Sequence, residues 1–206
     1  MNEKNSPRLL DKIEQWDIHW FLKIYQDETA KKMRPLAKVY SLMGNAIFWL
    51  AIGIIIFILN KMQGNYFLFF LFFGGYCQSI VLFLILRYGF INRRRPYRKL
   101  KEHGVKKNDD FIRESRSFPS GHSTFFLFYG LLFSFYFESH FLLILFLAMG
   151  LLMGMSRLIL GMHYPSDVIA GIISGAVFAL LYLGFMYPFW IELFTFLFDL
   201  IEIPFL

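Results

Sequence analysis

Cysteine is almost missing from this chain, since Cys77 is the only one in 206 residues. An intramolecular disulfide and a thiolate metal cluster are therefore both excluded within one chain. Charge is also scarce, with Asp, Glu, Lys and Arg at 17% where soluble domains carry about 25%. There is no internal repeat and no low-complexity linker, which excludes solenoids and tethered modules and leaves one domain, 1–206. The opening MNEKNSPRLLDKIEQWDIHW is charged throughout. It has neither the apolar core nor the small-residue cleavage site of a secretory signal, so no leader is expected to be removed. What is abundant is apolar: 57% hydrophobic residues, 20% aromatic, and 27 phenylalanines. Such a chain is expected to reside in a membrane.

The net charge of +6 gathers in two places, the N-terminal stretch to Lys38 and the segment Arg87 to Arg116. In a membrane protein such charge meets anionic headgroups or a phosphate-bearing substrate rather than nucleic acid. From Leu9 to Tyr25 the apolar Leu9, Leu10, Ile13, Trp16, Trp20 and Ile24 recur at helical spacing among Asp11, Lys12, Glu14, Asp17 and Lys23. The pattern predicts an interfacial helix within an N-terminal segment 1–38. Crossing roughly 30 Å of hydrocarbon takes about 20 helical residues. Runs of that kind are expected over about Leu42 to Leu59, Tyr66 to Phe90, Gly121 to Phe137, Phe141 to Met155 and Ser166 to Tyr187. The fold class is thus all-α, a polytopic membrane helical bundle of five to six transmembrane helices plus an N-terminal interfacial helix. In the tail 188–206, Glu192, Asp199 and Glu202 share one helical face, predicting an interfacial helix with a sixth span as the alternative. Counting crossings places the polar segment 91–120 and the turn after the fourth span on one side of the bilayer.

Three polar clusters lie at span edges: Arg93-Arg94-Arg95-Pro96, Pro119-Ser120-Gly121-His122, and Ser156-Arg157 followed by His163 and Asp167. Taken singly, each reads as headgroup anchoring or helix capping. Together they supply what phosphoryl transfer needs: a nucleophile, an acid for the leaving oxygen and fixed donors for the other oxygens. Asp167 follows His163 by four residues, so it can orient the imidazole and stabilise the cation formed on attack. His163 is the candidate nucleophile. Gly121 admits an anion close to the backbone, Ser120 and the following amides would sit at a helix N-terminus, and His122 is placed as general acid. Arg95 and Arg157 offer planar bidentate donors to phosphate. Charge neutralisation by arginine calls for no metal and no cofactor.

These residues resemble the type 2 phosphatidic acid phosphatase superfamily, which also includes glucose-6-phosphatase and vanadium-dependent haloperoxidases. Its middle motif, Pro-Ser-Gly-His, stands as Pro119 to His122, and its last motif stands as Ser156, Arg157, His163 and Asp167. The first motif is Lys, six residues, then Arg-Pro; Arg95-Pro96 match its end, but Tyr88 stands where Lys is expected. Arg87 can take that role if the helix end absorbs one residue, and Arg94, seven residues beyond Arg87, is a second candidate for a phosphate contact. The resemblance implies His163 as nucleophile, Asp167 as its partner, His122 as acid, and Arg95, Ser120, Gly121 and Arg157 as phosphate binders. It also implies a bacterial membrane lipid phosphatase working through phosphohistidine. Its substrate would be undecaprenyl diphosphate, phosphatidylglycerol phosphate, phosphatidic acid or a lipid A phosphate. A lipid-to-lipid phosphotransferase uses the same residues, and a non-catalytic anionic-lipid transporter is the alternative from another class. The haloperoxidase reading calls for a soluble scaffold, against which the spans argue.

His103, Lys101, Lys106, Lys107, Asp109, Asp110 and Glu114 read as a solvated loop face. His19 and His140 read as interfacial rings, and Gly74-Gly75, Gly150 and Gly154 as contacts between helices. The distribution of Lys and Arg by itself points the basic regions to the cytoplasm. The resemblance implies the opposite, a site on the extracytoplasmic face of the inner membrane.

Overall fold

The computed structural model describes residues 9–63, 66–89, 91–109 and 115–200. Asp110, Glu114 and Glu202 lie outside the described residues. The elements are α1 (Leu9–Gln26), α2 (Glu28–Ser41), α3 (Ala46–Gln63), α4 (Phe67–Gly89), the short α5 (Pro96–Lys99), α6 (Gly121–Tyr136), α7 (His140–Ile159), α8 (Pro165–Leu181) and α9 (Tyr187–Leu200). Short 3₁₀ turns precede α3 and follow α5, and a π-helical segment, Tyr182–Met186, joins α8 to α9. No strand forms among the described residues beyond an isolated bridge between Arg94 and Arg116.

Four helical stretches are long and apolar enough to cross a membrane: Ala46–Gln63, Phe67–Gly89, His140–Ile159 and Pro165–Leu200. Their outer surfaces expose Ile54, Ile55, Ile58, Leu84, Ile85, Ile144, Leu151, Ile173 and Leu180. Apolar side chains in such number are stable only against lipid. The remaining expected span, α6, has 16 residues and so is about 24 Å long. It is the central helix, with Phe126, Phe128 and Tyr129 fully buried. Tyr129 stacks on Trp49 and Phe72, with centroids 4.5 and 4.7 Å apart. Its length is set by protein neighbours rather than by lipid.

Close approach of α6 and α8 requires small residues. A Cβ at Gly171 would lie 2.5 Å from the Ser120 carbonyl oxygen, and one at Gly175 would lie 2.5 Å from that of Thr124. Gly154 and Gly74, read from sequence as contacts, leave no room for a Cβ against Val168 and Trp190 respectively.

Two expectations change at the ends of the chain. The tail does not turn back: α9 continues the last span through the π-segment and packs on α4, with Trp190 Nε1 donating to Gln78 Oε1 at 3.2 Å. No reversal within the described tail creates a sixth crossing. At the other end, α1 is amphipathic as expected and exposes Leu9, Leu10, Ile13, Trp16 and Trp20. Its opposite face is not solvated, however, because Asp17, Phe21 and Tyr25 are buried. The Lys-rich α2, which no apolar pattern announces, packs on α7, where the Tyr40 hydroxyl donates to the Met149 carbonyl at 2.7 Å.

Candidate active site

The site forms where the segment after α4 meets the turn after α7. Residues 91–95 run extended, anchored by the Ser117 N–H donating to the Arg93 carbonyl at 2.7 Å. Extended backbone sends successive side chains to opposite sides, so Arg93 and Arg95 turn inward while Arg94 faces out. Arg94 therefore does not join the inward donors at His163 and lines the cleft beside the site instead. Arg95 Nη1 donates to the Met162 carbonyl and meets His163 Nε2, both at 3.1 Å.

His163 lies in the turn between α7 and α8, which depends on Gly161. That residue has φ 77°, and a Cβ there would lie 2.7 Å from the Lys106 carbonyl oxygen. The imidazole is 1% exposed. Burial first, and then the charges of Arg95, Arg157 and Arg87, hold its pKa well below the ordinary histidine value, so the ring is neutral. A guanidinium can only donate, so Nε2 carries the lone pair and the proton sits on Nδ1. That atom has no hydrogen-bond partner and lies 3.8 Å from Asp167 Oδ2.

Asp167, in the first turn of α8, does not bond the ring directly. Its Oδ2 accepts from the Ser117 hydroxyl at 2.5 Å and the Tyr164 N–H at 2.9 Å, and its Oδ1 accepts from Arg93 Nη1 at 3.0 Å. The carboxylate is therefore fixed at both oxygens. It faces the imidazole through space.

Arg157 is buried near the end of α7, and its Nη2 donates to Asp109 Oδ2 at 2.9 Å. Its Nε and Nη1 are buried without hydrogen-bond partners. These donors lie on different edges of the guanidinium, and each can meet one oxygen of a phosphate. Asp109, read from sequence as part of a solvated face, is instead 2% exposed. A charge inside the protein needs a counter-charge, and Arg157 is that partner.

Ser120 caps α6: its Oγ accepts from the Ser123 N–H at 3.4 Å, and its own N–H donates to the Asp167 carbonyl at 3.0 Å. The next amides, of Gly121 and His122, have no intrahelical acceptor and point toward the site end of the bundle. A Cβ on Gly121 would come 2.8 Å from the Phe83 ring, so packing alone also demands glycine there. His122 is half-buried, and its electrostatic neighbours are Arg157, His163, Arg95 and Arg87. Gly44 seats it, since a Cβ there would lie 2.7 Å from His122 Cβ.

Arg87 and Tyr88 resolve the irregular first motif. Tyr88 is 55% exposed, whereas Arg87 is 3% exposed. Arg87 Nη1 donates to the Pro119 carbonyl at 3.0 Å and Nη2 to the Arg116 carbonyl at 2.6 Å. It thus holds the segment leading into Ser120 and adds positive charge beside both histidines.

The site therefore brings together His163, Asp167, His122, Arg95, Arg157, Ser120, Gly121 and Arg87, all named from sequence. Sequence reasoning missed Asp17, Arg93, Asp109 and Ser117. The two-residue alternation of an extended Arg93-Arg94-Arg95 was the available signal for Arg93. No local signal marks the others, whose partners lie at least 48 residues away. Among the described residues, no group of three or more His, Cys, Asp or Glu side chains is arranged to hold a metal ion.

A stretch of 69 residues is 49% identical to a lipid A 1-phosphatase of Rhizobium johnstonii, covering 32% of this chain and 26% of that protein. A lipid A 1-phosphatase of Rhizobium etli matches at 48% over 69 residues, covering 32% and 27%. The match thus spans about a quarter of the length of these curated relatives. The fold is similar to the crystal structure of Aquifex aeolicus LpxE, with a TM-score of 0.59 and 18% identity over 90% of this chain and 100% of that one. With residues 63–191 of its 206 matching the PAP2 superfamily profile, the chain belongs to the PAP2 superfamily.

Proposed function

We propose that this chain is a membrane lipid phosphatase in which His163 is the nucleophile. The observation that carries the reading is a buried neutral imidazole whose Nε2 lone pair faces Arg95, close to the two open donors of Arg157. Nε2 attacks phosphorus, the bond from phosphorus to the lipid oxygen breaks, and His122, taking up a proton when the phosphate anion binds beside it, gives that proton to the leaving oxygen. Asp167 stabilises the phosphorylated, cationic ring across 3.8 Å. Water, deprotonated by His122, then attacks the phosphohistidine and releases inorganic phosphate, returning His163 to its neutral form. Arg95, Arg157 and the amides after Ser120 hold the non-bridging oxygens throughout.

The substrate is an amphiphile. A cleft of about 780 Å³ beside the site sets Arg93, Arg94, Arg98 and Lys99 against Leu10, Ile13, Ile91 and Phe118. Charge and grease on facing walls suit a phosphorylated headgroup whose tails remain in the bilayer. The curated relatives direct first attention to the 1-phosphate of lipid A. Undecaprenyl diphosphate, phosphatidylglycerol phosphate and phosphatidic acid complete the panel. The site faces the extracytoplasmic side of the bacterial inner membrane, because positive charge retained to bind phosphate is not free to set topology.

The test is phosphate release by the purified protein in detergent over that panel, beside His163→Ala. Release by the wild type that is lost in the variant supports the reading, and equal release by both sinks it. A labelled donor lipid offered with an acceptor lipid separates hydrolysis from transfer.

A further inference from the structure

We propose that Asp17, on α1 and outside the segment matched by the family profile, is a positioning residue for the site, acting through Arg93 and Ser166 to hold the Asp167 carboxylate beside His163. The inference deepens the proposed function and rests on His163 as nucleophile.

Asp17 is 0% exposed, on the face of α1 that also buries Phe21 and Tyr25. Its Oδ1 accepts from the Ser166 N–H at 2.8 Å, and its Oδ2 accepts from the Ser166 hydroxyl at 2.5 Å and from Arg93 Nη2 at 2.7 Å. The Ser166 amide is one of the donors that α8 cannot satisfy within itself, so α1 caps α8 from outside. Arg93 spends its other terminal nitrogen on Asp167 Oδ1 at 3.0 Å and on the Ser166 hydroxyl at 2.8 Å. Its guanidinium also lies over the Tyr164 ring, 4.0 Å from the centroid. One planar fork thus locks two buried carboxylates and the first turn of α8 into a single geometry.

Two consequences follow. Without Asp17, Arg93 loses the ion that draws it inward, and the cleft offers it water; Asp167 Oδ1 then loses its charged donor. The charges also change, because Asp17, Arg93 and Asp167 together present one net negative charge to an imidazole ringed by Arg95, Arg157 and Arg87. With Asp17 neutral, Arg93 cancels Asp167, and the cationic phosphohistidine loses its counter-charge.

The experiment uses the full chain in detergent with short-chain phosphatidic acid as probe. Asp17→Asn is expected to lower kcat by about 10–100-fold, the usual cost of losing a partner that orients a reactive group, with KM within about twofold. Arg93→Lys, a partly exposed side chain that keeps its charge but loses the fork, should lower kcat in the same way, and this variant serves if Asp17→Asn does not fold. The double variant should be no slower than the slower single one. Trp16→Leu alters the exposed face of the same helix and should leave kcat within about threefold. Histidine ¹⁵N spectra, assigned by His163→Gln, should show the Nδ1–H tautomer in the wild type and a mixture in Asp17→Asn. Unchanged kcat in both Asp17→Asn and Arg93→Lys, effects that multiply, or an equal loss in Trp16→Leu overturns the proposal. A wild type inert toward every lipid phosphate overturns the proposed function instead, and the spectra then decide alone: identical His163 signals in wild type and Asp17→Asn reject the role of Asp17.

Discussion

At the residue scale, the site gathers buried charges whose hydrogen-bonding capacity is only partly used at Arg157. Arg157 has one buried counter-ion in Asp109 and two buried donors still open. Arg157→Lys keeps the charge but not the fork, and kcat/KM should fall by about 10²–10³-fold, the cost of losing one fixed donor to a charge that develops in the transition state. Asp109→Ala is expected to strip Arg157 of its counter-charge and destabilise the fold by about 3–5 kcal/mol, read as a lowered Tm in detergent. As the proposed nucleophile, His163 is expected to carry the pH dependence. Its pKa lies well below the ordinary histidine value because the ring is buried and ringed by arginines. The nucleophile must be neutral to attack, so its acid limb in kcat/KM should lie at a pH below about 6.5, the reference value for histidine. A limb at or above that value contradicts the burial argument.

At the element scale, the geometry of the site depends on how closely helices approach. Gly171 is the contact that sets Ser120 against α8, since a Cβ there would meet the Ser120 carbonyl at 2.5 Å. Gly171→Val should therefore cost about 1–3 kcal/mol by overpacking. It should also lower activity beyond the loss of folded protein, because Ser120 both caps α6 and donates to the Asp167 carbonyl. Thermal unfolding and phosphate release measured on one preparation check both parts. Spans were legible because lipid selects long apolar runs, and α3, α4, α7 and α8 fall close to their expected bounds. Helix α2 was not legible. Its stabilising contacts are with α7, far along the chain, and its own residues are mostly polar.

For the whole molecule, parity of crossings brings two distant segments to one end of the bundle, and direct bonds now join them: Arg95 to Met162, Ser120 to Asp167 and Arg93 to Asp167. Sidedness follows from labelling His103→Cys, in a Cys77→Ser background, with an impermeant thiol reagent applied to intact cells or spheroplasts. Labelling from outside is the expected result. Turnover is expected to survive a chelator, because the proposed mechanism assigns the phosphate charge to arginines; loss of turnover that added metal restores contradicts this.

By itself, the sequence determined the membrane class, most of the spans and the candidate residues for binding phosphate. Those properties depend on local composition and on motif spacing, which a linear chain carries in full. Only the tertiary structure decided that Arg87 is buried while Tyr88 is exposed, that Arg93 turns inward while Arg94 does not, and that Asp17 and Asp109 are buried counter-charges. The reason is physical: a carboxylate reads as a solvated surface group until the fold removes it from water, and its partner is then fixed by packing between segments remote in the chain.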